Sequence, residues 1–314
     1  MRYVVTGAMI LNDMEYADGH KVKGFLGGTI YSFNGIKPYT DDVLFVTVVG
    51  PDYDKEIGDY FRTNGISFDG IIVGVPKTQY STVKYKPSGE WKEYSIYGED
   101  YWAEWSELSK LTKDRVLPHI SSDTKGIYME ASAKGAEYWN YIDDIRKKAP
   151  GVNIMWEVYT SDTNDHSMED AVIKRARSVD MYSLNLPESM NLFGTKSEEE
   201  SIQRIKEIGV PCFFRCGTKG AYMIQDGKAW FSPSVGTENS VDATGCGNCS
   251  TACSLYGYTE GFHPLKTVIY ANIAASLNAA QYGPYPHYTK ELREKIVKEA
   301  NEMFDSQIKD PICL

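Results

Sequence analysis

Strand-like and helix-like segments alternate along most of the 314 residues, and this order constrains the fold more than any other feature of the chain. The strand-like segments are short and rich in β-branched and aromatic residues, and they span residues 2–7, 43–50, 126–130, 152–158, 179–184 and 212–216. The helix-like segments are amphipathic and span residues 53–64, 135–148, 168–177, 197–208, 245–258, 264–281 and 289–304. Such alternation predicts a mostly parallel sheet with helices on both faces.

One segment departs from this order and alternates apolar with polar residues instead. Residues 71–98 are typical of a hairpin with one exposed face, turning at the Pro-Ser-Gly sequence of residues 87–89. Together with residues 14–25, this hairpin is expected to form a small β-sheet lid over one edge of the main sheet. No Pro/Gly-rich linker divides the chain. The sequence therefore predicts a single α/β domain over residues 1–314, with a lid.

Charge and composition exclude several classes of function. The formal net charge is −10, whereas nucleic-acid binders carry basic faces, so no nucleic-acid partner is expected. No apolar run approaches the ~20 residues that cross a bilayer, so no membrane partner is expected either. The six cysteines, three of them clustered near residue 250, do not resemble a secreted disulfide framework. A cytoplasmic location is therefore expected.

The stretch VDATGCGNCSTAC at residues 241–253 places glycines at the predicted start of a helix. Gly245 and Gly247 flank Cys246, so the backbone can approach a ligand without an intervening side chain. The first N–H groups of a helix have no intrahelical partners, and the helix dipole favours negative charge there. This turn is therefore a candidate phosphate site.

The same stretch contains DATGCGN, which resembles the D-T-x-G-A-G-D signature of the PfkB (ribokinase-like) carbohydrate and nucleoside kinases. Further motifs follow in the family's order: GFLGGTIYSFNG resembles the glycine pair after the first lid strand, and VVGPDYDKEIGDYF resembles the G-x-D-x-x-G segment. SLNLPES resembles the N-x-x-E motif, FRCGTKGA the nucleotide loop T-x-G-x-x-G, and ANIAASLNAAQYG the helix beside the adenine. Several motifs in order are far more specific than any one glycine loop.

The resemblance implies a ribokinase-like three-layer α/β sandwich, with a central mostly parallel sheet and a small β-sheet lid, that phosphorylates a sugar-like hydroxyl with ATP and Mg²⁺. The implied catalytic residues are Asp242, Gly245, Cys246, Gly247 and Asn248. The implied nucleotide contacts are Asn185, Arg215, Gly217, Gly220, Asn272 and Gly283. Asn185 and Glu188 would hold Mg²⁺ through water, because this ion keeps much of its hydration shell.

Outside that resemblance, two of these motifs have simpler interpretations. Asn185 and Glu188 are also typical of a turn residue and a first-turn acid of a helix. Gly217 and Gly220 alone are most simply explained by a tight turn between two strands.

The implied substrate contacts lie in the first part of the chain: Asp13, Gly27, Gly28, Ser32 and Asn34. Ser32 stands where these kinases often have Asn. The lid and the segment after it are rich in tyrosine and tryptophan, whose faces stack on sugars or bases. The same aromatic residues would also suit a homodimer contact through the lid. The expected partner is a small sugar or nucleoside, and the sequence does not choose between hexose, pentose and nucleoside.

Asn248 stands where the family signature ends in the catalytic Asp. A neutral carboxamide cannot accept a proton, although it can orient a hydroxyl by hydrogen bonding. Losing a general base costs ~10²–10⁴-fold in rate, while positioning and electrostatics supply most of the acceleration in phosphoryl transfer. Three hypotheses stay open: a slow kinase or one using another carboxylate such as Asp242, a catalytically silent ligand-binding protein, and a deliberately inactivated kinase.

A thiol site is the alternative from another class of function. Cys246 and Cys249 form a C-x-x-C pair at a predicted helix start, where thiol pKa values fall and reactivity rises. Cys216 lies in the other glycine loop and could approach them. The competing interpretation is that Cys249 and Cys253 pack the helix as small apolar residues.

Overall fold

A nine-stranded sheet forms the centre of the molecule. A computed structural model describes residues 1–88, 91–136 and 138–312. The strands in these ranges are β1 (Tyr3–Thr6), β2 (Met9–Glu15), β3 (Lys21–Gly28), β4 (Val43–Val49), β5 (Ile71–Val73), β6 (Tyr80–Tyr85), β7 (Trp91–Ser95), β8 (Gly126–Ala131), β9 (Asn153–Val158), β10 (Met181–Asn185), β11 (Cys212–Arg215), β12 (Gly220–Gln225) and β13 (Lys228–Pro233). The central sheet has the order β13-β12-β11-β10-β9-β8-β1-β4-β5. Because the strand order reverses around β1, a crevice for ligands is expected at the carboxyl ends near β1 and β8.

Most neighbouring strands of this sheet are parallel, and the predicted mostly parallel sheet is confirmed. The exceptions are at one edge, where β11, β12 and β13 are successive antiparallel neighbours. Parallel neighbours need a crossover of a dozen or more residues. Only the short turn of residues 216–219 joins β11 to β12, so this pair is antiparallel.

Helices cover both faces of the central sheet. They are α1 (Ile30–Ile36), α2 (Tyr53–Thr63), α3 (Glu99–Leu108), α4 (Lys113–Val116), α5 (Ile142–Lys148), α6 (Glu169–Ala176), α7 (Leu186–Phe193), α8 (Glu198–Ile208), α9 (Cys246–Thr259), α10 (Pro264–Ala279) and α11 (Lys290–Ser306). Alternate strand residues face opposite layers: Tyr3 and Val5 share a core with α1, α9 and α10, while Val4 shares the other core with α5 to α8. No helix in the described part of the chain is both long and apolar enough to cross a membrane.

A separate four-stranded sheet, in the order β3-β2-β6-β7, forms the lid. It differs from the expected lid of residues 14–25 and 71–98 in two respects. The first part of the lid, β2 and β3, extends from Met9 to Gly28 and is longer than expected. Residues 71–73 belong to the central sheet instead, because they pair with Thr47–Val49 of β4. Of the predicted turn at residues 87–89, Gly89 lies outside the described residues.

The helix bounds agree with the periodicity except in one segment. A helix was expected over residues 135–148, but α5 begins at Ile142, after a single 3-10 turn at Tyr138–Asn140. Residue 137 of that segment lies outside the described part of the chain. Helix α1 was not expected because all seven of its residues are buried, so it shows no amphipathic period.

Candidate active site

Polar side chains occupy the carboxyl ends of four neighbouring strands. Glu130 and Glu157 are the next-to-last residues of β8 and β9, and Asn185 and Arg215 are the last residues of β10 and β11. Glu130 pairs with Glu157, and Asn185 pairs with Arg215, across the sheet. The residues two positions before three of them pack in the core that contains α9: Tyr128, Met155 and Phe213. Because residues two apart share a face, the four polar side chains face the layer of α9.

Helix α9 begins with its glycine turn beside this edge. Gly245 has a φ of +76°, in the left-handed region that favours glycine. A Cβ atom on Gly245 would lie 2.1 Å from Cγ of Tyr31, so the ring packs directly on this glycine. The Cys246 N–H donates at 3.1 Å to the carbonyl three residues earlier. The following N–H groups, of Gly247 and Asn248, lie in the first turn and have no intrahelical acceptor, so they are the ones suited to an anion.

A cavity of about 470 Å³ opens in front of this turn. Seven of the sequence-predicted residues line it: Asn185, Arg215, Gly217, Gly220, Cys246, Gly247 and Asn272. The floor is formed by small residues of α10, among them Ala275, Ser276 and Ala279. The volume lies in the range typical of small-ligand and cofactor pockets. The cavity therefore joins the two predicted glycine loops in one space.

Asn272 and Gly283 were both expected to contact the nucleotide, but only Asn272 lies at the cavity. Asn272 lines the cavity, and its Nδ2 donates to the carbonyls of Ser232 and Pro233 at 3.0 and 2.9 Å, which ties α10 to β13. Gly283 does not line the cavity. A Cβ atom there would lie 2.9 Å from the Phe25 ring, and its φ is +73°. Lid packing and turn geometry therefore account for Gly283.

Arg215 occupies the centre of the polar edge as a buried cation. Its Nη2 lies 3.2 Å from Oε1 of Glu157 and 3.7 Å from Oε2 of Glu188, and all three side chains are at most 14% exposed. Its Nη1 lies against the glycine turn, since a Cβ atom on Gly247 would be only 2.2 Å away. The guanidinium therefore lies beside the amides that could hold a phosphate, where the family motif has Thr.

Asn185 and Glu188 form a capping box at the start of α7. The Asn185 Oδ1 accepts from the Glu188 N–H at 2.9 Å, and Glu188 Oε2 accepts from the Asn185 N–H at 2.8 Å. Thr160 Oγ1 donates to the other oxygen, Oε1 of Glu188, at 3.0 Å. This is the helix-cap pairing that the sequence allowed as the simpler interpretation. It holds the Glu188 carboxylate beside Arg215, which lines the cavity.

Asn248 is hydrogen-bonded to a carboxylate that was not singled out from the sequence. Its Nδ2 donates to Oε1 of Glu130 at 2.7 Å. Thr29 Oγ1 donates to the other oxygen of Glu130 at 2.7 Å, and the Tyr128 hydroxyl lies 3.2 Å from Oε1. Burial raises the pKa of Glu130, although these hydrogen bonds partly offset the effect.

Burial raises the pKa of Glu157 to about 7, even though Arg215 acts in the opposite direction. The folded protein then holds a proton that the unfolded chain releases, so the free energy of unfolding falls as the pH rises from about 4.5 to about 7 and then levels off. We expect Glu157→Gln to flatten this slope in urea unfolding series, whereas Glu169→Gln, a buried acid on α6, should keep it. An unchanged slope in Glu157→Gln would contradict this assignment.

The Asp242 side chain forms hydrogen bonds within its own loop and none with Asn248. Its Oδ1 accepts from the backbone N–H and the hydroxyl of Thr244 at 3.0 and 2.8 Å. The Thr244 hydroxyl also lies 2.9 Å from the hydroxyl of Tyr85, which ends β6 of the lid. Asp242 therefore shapes the turn before α9, and the lid touches that turn.

Near the lid base, Asn12 and not Asp13 faces the glycine pair. Asp13 Oδ1 accepts from the Gly24 N–H at 3.1 Å and from the Tyr80 hydroxyl at 2.6 Å, so it links lid strands. A Cβ atom on Gly27 would lie 1.7 Å from Oδ1 of Asn12, so this buried side chain lies directly on Gly27. Asn12 is a polar site candidate that sequence reasoning missed.

The remaining predicted substrate residues lie on or before α1. Gly28 has a φ of +71° and packs on the Ala8 carbonyl. The buried Ser32 hydroxyl has no hydrogen-bonding partner among the described residues. Asn34 is buried on α1, where its Oδ1 accepts from the Tyr60 hydroxyl at 3.1 Å. Asn34 therefore contacts α2 and is not brought to the Glu130 cluster.

The cysteine cluster packs against α10. The thiols of Cys246 and Cys249 donate to the carbonyls of Ala275 and Ala274 at 3.5 and 3.3 Å. Cys249 and Cys253 are at most 1% exposed. Burial raises the pKa of all three thiols and raises that of Cys216 to about 12. This is opposite to the direction needed for a reactive thiolate, so the packing interpretation accounts for these cysteines.

Solved structures with the same fold include several kinases. An adenosine kinase from Sinorhizobium meliloti has a TM-score of 0.74 at 17% identity, covering 95% of this chain and 98% of its own. A Burkholderia thailandensis nucleoside kinase in complex with inosine has a TM-score of 0.71 at 14% identity, covering 99% and 100%. A ribokinase II from E. coli in complex with ATP and Mg²⁺ has a TM-score of 0.71 at 18% identity, covering 95% and 99%. The ribokinase-like fold expected from the sequence is confirmed.

Family membership rests on the sequence as well as on the fold. No curated protein matches the chain significantly. The model of the pfkB family of carbohydrate kinases, however, matches residues 19–290, which is well over half of the chain. The chain therefore belongs to the pfkB carbohydrate kinase family.

Proposed function

We propose that this protein transfers the γ-phosphoryl group of ATP to a hydroxyl group of a small sugar or nucleoside. The observation that carries the proposal is the position of the open cavity directly in front of the α9 glycine turn. A helix N-terminus of this kind attracts phosphate through its amides and its dipole. Membership of the pfkB family supplies the reaction class.

The cavity suits a nucleotide whose phosphates point at α9. The base and ribose would lie against the small residues of α10 and the loop from Gly217 to Gly220. The phosphates would then meet the N–H groups of Gly247 and Asn248 and the Arg215 guanidinium. Phosphoryl transfer needs positioning and charge neutralisation more than covalent help from the protein, and these groups supply both.

The chemistry of the polar edge fits Mg²⁺. Glu157 and Glu188 lie 3.2 and 3.7 Å from a single guanidinium, that of Arg215. The described residues contain no group of three or more potential metal-ligating acids, histidines or cysteines, so water and phosphate would supply most of the ligands. Each oxygen of the Glu188 carboxylate accepts one hydrogen bond. Because a carboxylate can accept about four, Glu188 could also accept hydrogen bonds from water molecules bound to Mg²⁺. Asn185 would assist through its Oδ1. When bound, Mg²⁺ would neutralise charge on the transferred phosphoryl group, and the phosphates would complete its ligands.

Two observations support a sugar or nucleoside acceptor. Structural neighbours include an adenosine kinase and a nucleoside kinase in complex with inosine. In this chain, aromatic rings gather where the lid meets the α9 turn: Tyr16 stacks on Tyr85 at 5.6 Å and 2°, and Tyr31 packs on Gly245. Aromatic faces of this kind favour flat or ring-shaped ligands.

The cytoplasmic location expected from the cysteines stays a prediction.

A bulky residue in the cavity should block ATP. Ala279 lines the cavity, whereas the next residue, Ala280, is exposed and does not. We expect Ala279→Phe to weaken ATP binding by at least about tenfold, which corresponds to about 1.4 kcal/mol, because the ring would occupy space that the nucleotide needs. Ala280→Phe is the matched control and should bind ATP normally. Titration calorimetry makes the comparison, and equal affinities in the two variants would place the nucleotide elsewhere.

The catalytically silent alternative makes a different prediction for turnover. ADP release should be measured with ATP, Mg²⁺ and a panel of hexoses, pentoses and nucleosides. The proposed kinase releases ADP with at least one acceptor and loses this activity in Ala279→Phe. A chain that binds ATP or an acceptor tightly but releases no ADP across the panel would instead be a binding protein.

A homodimer through the lid is a further proposal. Trp91 and Tyr94 of β7 and Ile96 after it are 56%, 43% and 52% exposed. Exposed apolar residues on the edge strand of a small sheet favour pairing with another chain. Light scattering should therefore give a dimer mass that falls to the monomer mass in Trp91→Lys. A monomer mass for the wild type would contradict the proposal.

A further inference from the structure

Asn248 cannot itself accept the proton of a substrate hydroxyl, but it is bonded to a group that can. The carboxamide Nδ2 donates to Oε1 of Glu130 at 2.7 Å. A carboxylate is an acceptor and a base, whereas a carboxamide is neither protonated nor deprotonated near neutral pH. The position of the family's catalytic Asp therefore holds a donor that fixes a different carboxylate.

Glu130 lies where the fold places ligands. It is at the carboxyl end of β8, which neighbours β1 at the point where the strand order reverses. Ligands bind outside the carboxyl ends of strands at such points. Glu130 is only half-buried, whereas Glu157 and Glu188 are buried.

Two donors orient the Glu130 carboxylate and leave it room for a substrate. Asn248 Nδ2 donates to Oε1 and Thr29 Oγ1 donates to Oε2, each at 2.7 Å, while the Tyr128 hydroxyl lies near Oε1 but makes its shorter hydrogen bond to Glu157. A carboxylate accepts about four hydrogen bonds, so Oε2 keeps capacity for one more. Thr29 directly follows the glycine pair at the lid base, and Asn248 lies in the first turn of α9. Glu130 is therefore bonded both to the residue after the glycine pair and to the turn proposed to hold the phosphates.

We propose that Glu130 is the general base of the reaction and that Asn248 is its positioning residue. This inference rests on the proposed kinase function. The acid and the amide have exchanged roles relative to the family signature: the carboxylate comes from β8, and α9 supplies the hydrogen bond that orients it.

The transfer step balances with these groups and ATP alone. The acceptor O–H bond breaks, and its proton passes to Oε2 of Glu130, which becomes a carboxylic acid. The hydroxyl oxygen forms a bond to the γ-phosphorus, and the bond from that phosphorus to the β,γ-bridging oxygen breaks. ADP leaves with the bonding electron pair, and Glu130 then returns its proton to solvent.

The surroundings of Glu130 tune it for this role. Burial raises its pKa towards the working pH of a cytosolic enzyme, which favours proton transfer. The facing charged and titratable groups are Arg215, Glu157, Tyr128 and Tyr138, and Arg215 favours the ionised form. A base with a raised pKa gives activity that increases with pH through that pKa.

The first test is Glu130→Gln, which keeps the shape of the side chain and its acceptor oxygen. We expect kcat to fall by about 10²–10⁴-fold, with the ATP dissociation constant unchanged by calorimetry. Glu169→Gln is the matched control, because Glu169 is a buried acid at the start of α6, bonded to Arg204 of α8 and outside the site. Thermal unfolding of both variants verifies that they are folded.

The second test exchanges the two groups. Asn248→Asp alone places two carboxylates side by side, which should raise the pKa of the pair and shift the pH–rate profile to higher pH. Adding Asn248→Asp to Glu130→Gln restores a carboxylate beside an amide. We expect the double variant to recover at least about tenfold of the lost kcat, which a merely structural role of either residue would not produce.

The outcomes separate the base assignment from the proposed function. Wild-type turnover together with an unchanged kcat in Glu130→Gln overturns the base assignment and leaves the kinase intact. A double variant no faster than Glu130→Gln also overturns the exchange of roles. No wild-type turnover with any acceptor overturns the proposed function and the base assignment with it.

Discussion

Replacing Arg215 with methionine is expected to lower the free energy of unfolding by about 3–5 kcal/mol, because it leaves two buried carboxylates without their cation. Glu157 and Glu188 lie 3.2 and 3.7 Å from the guanidinium, and each is less than 10% exposed. The same change removes the cation beside Gly247, so kcat should fall by at least about 10²-fold, the typical loss for one transition-state donor. Urea unfolding and ADP release measure the two effects.

Two further variants separate charge from geometry at this position. Arg215→Lys keeps the positive charge but presents a point charge in place of a fork, so it should restore stability more than turnover. Arg62→Met is the control, because Arg62 is 51% exposed and pairs with exposed Asp54 and Asp59, and it should cost less than about 1 kcal/mol. If Arg215→Met were as mild as Arg62→Met, the buried cluster would not depend on its cation.

Replacing Gly245 with alanine is expected to distort the glycine turn at the start of α9. A Cβ atom would lie 2.1 Å from Cγ of Tyr31, and the φ of +76° disfavours any L side chain. The backbone costs about 1–2 kcal/mol and the collision about 1–3 kcal/mol more. Because the first-turn amides would shift, kcat should also fall by at least about 10²-fold. Unfolding and turnover assays check both.

Gly209→Ala is the matched control for this change. Gly209 ends α8 with a φ of +75°, and a Cβ atom there would meet nothing within 4 Å. It therefore carries the same backbone strain without the collision, and it should cost about 1–2 kcal/mol with normal turnover. Equal losses of activity in Gly209→Ala and Gly245→Ala would show that the contact with Tyr31 is irrelevant.

Local sequence signals predicted the fold and marked residues that line the cavity. Strand and helix periods place residues on faces, so the parallel sheet followed from the alternation. Gly217, Gly220 and Gly247 stand where backbone must approach closely or turn, so their motifs marked the cavity. These features depend only on residues near each other in the chain.

The two glutamates of the site, Glu130 and Glu157, are brought together by the register of strands that lie far apart in the sequence. Glu130 and Glu157 each stand near the carboxyl end of a mostly apolar strand, and a charge at that point was the available signal. Their pairing across β8 and β9, and the approach of Asn248 from a helix more than 100 residues later, are tertiary facts. The sequence alone therefore suggested Asp242 as the replacement carboxylate, whereas the structure puts Glu130 at Asn248.

One prediction at the base of the lid, that for Asp13, was wrong for a local structural reason. Asp13 was expected to face the substrate, but β2 keeps a continuous register with β6 from Leu11 to Glu15, and the irregularity in its pairing with β3 lies on the β3 side. Successive residues of a strand point to opposite faces of the sheet, so Asn12 and Asp13 face opposite ways. Asn12 therefore takes the position beside Gly27, and Asp13 bonds within the lid.

The most direct test of the account is to identify the product. The protein should be incubated with ATP, Mg²⁺ and the acceptor panel, and the acceptor analysed by mass spectrometry and phosphorus NMR beside ADP release. The account predicts an acceptor that gains one phosphoryl group as an ester, in equal amount to the ADP formed. ADP release with an unmodified acceptor, or no ADP from a chain that binds ATP, would contradict it.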